Sequence, residues 1–107
     1  MSASTVEACR QLADHAGIRF VTLEPTPGVQ DAPLPVDPSV RELLPAELRR
    51  ELGMLPVAME DGTVLIAASE PVQYLPYDVA ARLQGQPVSF ILVPAEQLAR
   101  ALGEGRP

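Results

Sequence analysis

At 107 residues with a net charge of −6, the chain has room for one core and carries an acidic surface, which argues against nucleic acid as a partner because phosphate binding needs a basic face. Hydrophobic residues make up 47 % but aromatics only 4 %, so that core rests on Leu, Val, Ile and Ala. None of the eight cationic residues is lysine, which removes a P-loop lysine, Schiff-base chemistry and a lysine general base together.

In chain order, Ser4 or Thr5 is placed to cap a helix running to about Ala16, with Glu7 in its first turn. Val6, Cys9, Leu12, Ala13 and Ala16 share one face at the helical period, and Gly17 ends the helix. Cys9, the single cysteine, excludes an internal disulfide, fits a reducing compartment and reads as a small buried thiol. The opening MSASTVEACR lacks a basic leader followed by an apolar segment, and no run approaches the roughly 18 apolar residues of a membrane span. A soluble cytoplasmic protein is therefore expected, without direct membrane insertion.

Ile18 to Leu23 is a short β-prone segment, read as an edge strand or an extended stretch. From Glu24 to Pro38 five prolines and one glycine exclude regular structure and predict a pinned, extended loop. Its proline spacing also resembles a PxxP ligand. Asp37 caps a short helix beginning at Pro38, and Pro45 restarts the helix in a new direction with Leu44, Leu48 and Leu52 as its apolar stripe. Gly53 closes it. Met54 to Glu60 and Thr63 to Ser69 form a hairpin through Asp61-Gly62, a type I′ signal, and Pro71 stops the second strand.

A helix follows from Pro76 or Tyr77 to Leu83, terminated by Gly85. Val88 to Val93 is apolar on both faces, as a central strand is. Pro94 opens a last helix whose stripe is Ala95, Leu98, Ala99 and Leu102, and residues 103–107 read as a frayed tail. The chain reads as a single domain of class α+β: a small, mostly antiparallel sheet of three to four strands with a β-hairpin, packed against helices.

No reaction is specified. No phosphate-cradling glycine motif is present, and one His with one Cys cannot build a zinc site, so no cofactor or metal is expected. Ser69 after a strand has no base placed for it, and Asp14-His15 sits near a helix end, where imidazole favours solvent and the dipole. Two features suit recognition. Arg41, Arg49 and Arg50 form a compact cationic group, which either pairs with Glu42, Glu47 and Glu51 or grips a partner's carboxylate or phosphate. Tyr74 and Tyr77, beside Leu75 and Pro76, either cap the hairpin end of the core or form an exposed docking patch.

Leu44-Pro45, Leu48-Arg49-Arg50, Gly53 to Val57, Asp61-Gly62, Leu65 to Ala67, Pro71, Gly85, Val88, Leu92-Val93 and Leu98 with Ala101-Leu102 stand in a familiar order. Together with Leu12 to Leu23 they resemble the N-terminal domain of type II secretion and type IV pilus assembly ATPases, over about Val6 to Leu102. The resemblance implies a noncatalytic protein–protein interaction module. Its partner would be a cytoplasmic domain of an inner-membrane secretion or pilus component, recruiting the protein to the inner face of the cell membrane. Longer relatives bind cyclic di-GMP through a repeated Arg-Leu-Gly motif. That motif is absent here, and Glu70 and Gln84 stand where the family usually has Asp before Pro and Thr before Gly. The alternative expectation is a cyclic dinucleotide sensor using Arg41, Arg49 and Arg50.

Overall fold

Left-handed backbone at Asp61 (φ 51°) and Gly62 (φ 81°) folds β2 (Leu55–Glu60) back onto β3 (Thr63–Ala68), the hairpin that the Asp-Gly pair predicts. The computed structural model describes residues 3–103, so four of the five residues expected to form a frayed tail lie outside the described residues. The other elements are α1 (Ala3–Ala16), β1 (Arg19–Phe20), α2 (Pro38–Arg41), α3 (Ala46–Leu52), α4 (Tyr77–Leu83), β4 (Val88–Leu92) and α5 (Ala95–Leu102).

The class is α+β, with one four-stranded sheet in the order β1-β4-β3-β2. Its orientation is mixed: the hairpin is antiparallel, whereas β4 lies parallel to both β3 and β1. The expectation from sequence understates this parallel part. Strands joined by a tight turn must be antiparallel, but the connection over residues 69–87 contains α4 and is long enough to return the chain in the same direction. As expected, β1 is an edge strand and β4 is interior.

Alternation along β3 builds two apolar layers. Val64 and Ile66 join Val40, Leu44, Met54, Val79 and Leu83 beneath α2, α3 and α4. Leu65 and Ala67 join Leu55, Val57, Ile91, Val93 and Leu98 on the α5 side. A bulge between Pro56 and Ala58 puts Val57 and Ala58 into this same second layer before the register resumes at Met59 opposite Val64.

Helix ends follow the residues that encode them. Asp37 accepts from the Ser39 amide and starts α2 with Pro38 in its first turn. Gly17 ends α1 in a Schellman pair, with Ile18 N–H donating to the Ala13 carbonyl (2.9 Å) and Gly17 N–H to that of Asp14 (3.3 Å).

Three local expectations are corrected. Helix α1 already contains Ser4 and Thr5, so neither caps it and Glu7 lies past its first turn; Ala3, a strong helix former, lets it begin earlier. Of its expected stripe only Val6 and Ala13 are buried, with Cys9 half-buried and Leu12 40 % exposed, because α1 leans on the narrow border of the sheet at β1 and β4. The left-handed turn after α4 begins at Gln84 (φ 52°), one residue before Gly85.

Gly53 ends α3 at φ 65°, and a methyl group built there meets nothing within 4 Å. Gly53→Ala is therefore expected to cost only the conformational term, about 1 kcal/mol. In thermal unfolding that is a fall in Tm of roughly 4–8 °C for a domain of this size.

Candidate functional site

Proline cannot donate a backbone hydrogen bond, so a segment with four of them has to be fastened by other groups. Residues 21–37 run as a strap over the α5 side of the sheet, with Val21, Leu23, Leu34 and Val36 packed on the second apolar layer. Leu34 N–H donates to the Thr22 carbonyl beside β1 (2.8 Å), and Asp37 N–H donates to Val57 in β2 (2.8 Å). The segment is thus tied to the sheet near both ends, Val21 N–H donating to Leu92 in β4 (3.0 Å) and Asp37 to the edge strand β2, where unpaired strand groups invite foreign pairing.

Helix α5 holds the start of the strap. Gln97 is 1 % exposed; its carbonyl oxygen accepts from the amides of Leu23 (2.8 Å) and Glu24 (3.3 Å), and its amide donates to Thr26 Oγ1 (2.7 Å). Arg100, one turn on, meets Glu24 with Nε at 2.6 Å and Nη2 at 2.7 Å, a two-pronged contact. The Arg100 guanidinium holds the Glu24 carboxyl below its ordinary range. Sequence reasoning missed this clamp by placing Ala95 and Ala99 on the buried stripe. Both are exposed, and the buried line is Gln97 and Leu98 with Ala101 and Leu102 partly covered. The signal was there: a glutamine on the apolar face of a helix needs polar partners, and a proline-rich segment has amides to offer.

A cleft of about 450 Å³ opens between α1, β1 and the strap, lined by Arg10, Phe20, Gly28, Val29, Gln30 and Asp31. Arg10 stands with its guanidinium 5.6 Å from the Phe20 ring centroid, donates to the Gly28 carbonyl (3.3 Å) and lies 3.6 Å from Glu7. These contacts make it a fastener of the strap's far bend. Nearby, burial pushes the Cys9 thiol up, favouring the unreactive protonated form. Among the described residues no group of His, Cys, Asp and Glu is placed to hold a metal ion. No described helix is long and apolar enough to cross a membrane.

The arginines anticipated as a cluster divide in two. Arg41 ends α2 and is half-buried. Arg49 has a side chain only 11 % exposed and reaches Glu42 Oε2 at 3.3 Å, tying α3 to the end of α2. Arg50, the next residue and about 100° further round the helix, is exposed and makes no ion pair among the described residues. Tyr74 and Tyr77 are 78 % and 85 % exposed, so they do not cap the core; Leu75 between them packs against it instead.

The fold is similar to that of MshE in a structure with c-di-GMP: TM-score 0.71, 21 % identity, covering 95 % of this chain and 67 % of that one. It is also similar to the N-terminal domain of XpsE, with TM-score 0.60, 18 % identity and coverage of 92 % and 62 %. At such identities the likeness is one of fold. Residues 16–104 match the MshEN domain. Curated protein sequences give no match.

Replacing Gln97 by Leu leaves the amides of Leu23 and Glu24 without their acceptor, and a loss of about 2–3 kcal/mol is expected in urea unfolding. Acid acts on the same region. Glu24 has a folded pKa below its unfolded value, so its contribution is present above about pH 4 and is lost as pH falls through the lower folded value. Asp37, lowered by the Ser39 hydroxyl and amide, adds loss in the same window. Urea midpoints measured between pH 6 and pH 3 should fall, and Glu24→Gln should flatten that decline.

Proposed function

The chain belongs to the MshEN domain family, and from that membership we propose that it is a noncatalytic docking module linking a motor or regulator to a membrane assembly partner. The resemblance read from Leu44-Pro45, Leu48-Arg49-Arg50 and the hairpin accords with the structural relatives, N-terminal domains of type II secretion and type IV pilus ATPases. The observation that carries the reading is the match over 16–104 together with a fold retained over almost the whole chain. The placement of the conspicuous side chains supports it: Gln97, Arg100, Arg10 and Arg49 fasten elements to one another, while Arg50, Tyr74 and Tyr77 face outward.

The partner in this reading is a cytoplasmic domain of an inner-membrane secretion or pilus component. Arg50 is its first candidate contact; Arg41 and Arg49 act from behind, on the α2–α3 corner. A pull-down from solubilised membranes should recover such a component with the wild-type chain and with markedly lower yield with Arg50→Ala. Recovery of soluble regulators alone, from a folded sample, would contradict the proposal.

The MshE structure with c-di-GMP favours one second reading, a cyclic dinucleotide sensor using Arg41, Arg49 and Arg50. Against it stand the engaged, mostly covered Arg49 and the absence of Arg-Leu-Gly. Calorimetry with cyclic di-GMP is expected to give no binding heat. Micromolar binding that Arg50→Ala abolishes would reverse the order of the two readings.

A further inference from the structure

We propose that the segment Glu70–Asp78 is a preformed docking patch for an arginine-bearing protein surface. The proposal rests on the docking reading above and adds to it the face used and the chemistry of the partner. Tyr74 and Tyr77 are by a wide margin the most exposed large hydrophobic residues described, at 78 % and 85 % against 40 % for Leu12 and 42 % for Met59. Three residues apart, their Cα atoms lie within about 11 Å. Tyrosine combines a flat apolar body with a polar tip and little rotamer entropy, so two exposed together are expensive to leave in water and well suited to an interface.

The base beneath the rings is packed on the core. Val72 and Leu75 pack against the core layer under α2, α3 and α4, Pro71 fixes the chain where β3 has ended, and Pro76 (φ −59°) sets the start of α4. Packing at Val72 and Leu75 together with the two prolines restricts the backbone, which lowers the cost of association.

Charge decides the occupant. Glu70 and Asp78 bracket the tyrosines, both exposed and neither in an ion pair among the described residues. Glu24, Glu42 and Glu60 are each committed to an arginine. Glu47, Glu51 and Asp61 share the exposed state of Glu70 and Asp78, unpaired among the described residues, but do not flank the tyrosines in the chain. Glu70 also lines a notch of about 160 Å³ with Leu52, Gly53 and Met54, beside the C-terminal end of α3. A guanidinium suits these groups: its charge pairs with a free carboxylate such as Glu70 or Asp78, and its flat face and aliphatic stem suit an exposed tyrosine ring. The net charge of −6 draws a basic surface toward the domain from a distance.

The test is an amide NMR titration of the 107-residue chain with acetyl-Arg-Ala-Arg-amide, with acetyl-Lys-Ala-Lys-amide as control. Saturable shifts concentrated at residues 70–78 are expected, about threefold weaker for the lysine peptide and about tenfold weaker in the folded Tyr74→Ser/Tyr77→Ser variant. Glu70→Gln should weaken binding with the rings left in place. Shifts spread evenly over acidic residues, equal titration by the double variant, or concentration-dependent shifts at 70–78 without peptide (a second copy occupying the patch) would each overturn the proposal. The titration needs no membrane component, so its failure is distinguishable from a failed pull-down.

Discussion

Fastening a chain segment that cannot form its own hydrogen-bond ladder is the constraint on which this structure turns. The proline-rich strap is excluded from helix and sheet, yet it crosses an apolar layer and is tied to β4 at its start and to β2 at its end. Gln97 resolves the conflict. Nearly fully buried in α5, it satisfies two strap amides and the Thr26 hydroxyl at once, and Arg100 adds a charged contact at the surface. The amide network is the stronger part, because a buried group stripped of its partner loses the full cost of its desolvation, whereas the Arg100–Glu24 pair is screened by water.

With the strap in place, the remaining architecture follows. Val21 bonds the start of the strap to Leu92 in β4, and Asp37 bonds its end to Val57 in the edge strand β2, so the strap is tied to the sheet near both of its ends. The ion pair of Arg19 with Glu60 joins the two edge strands themselves, at 3.2 Å, though both side chains are half exposed and add little stability. On the opposite face α2, α3 and α4 complete the core, and it is there, away from the strap, that Arg50 and the tyrosines stand uncommitted. Most of the fastening side chains thus lie on the strap side, with Arg49, beside Arg50 on α3, the exception.

Much of the fold was legible because it is locally encoded. Asp61-Gly62 specifies its turn, Asp37-Pro38 its cap, Gly17 and Gly53 their stops, and Val88 to Val93 its interior position. The pairing of β1 with β4 was not legible: it joins segments some 70 residues apart, and two residues of strand carry no periodicity. The face of α5 was misread for a related reason, since alanine reads as apolar wherever it lies, and only the position of the strap shows that Gln97 is the residue turned inward. For the candidate site, residue types were legible and their orientation was not. Arg49 and Arg50 are chemically identical neighbours, separated only by which side of α3 faces the end of α2.

Native-state hydrogen exchange tests the central claim, that the clamped strap is an integral part of the folded unit, most directly. The amides of Leu34, bonded within the strap to Thr22, and Asp37, bonded to Val57 in β2, should exchange only with the opening that releases the interior strands β3 and β4, showing the same opening free energy. Exchange of both amides through a much cheaper opening, with the interior strands still protected, would contradict the claim and reduce the strap to a loosely attached loop.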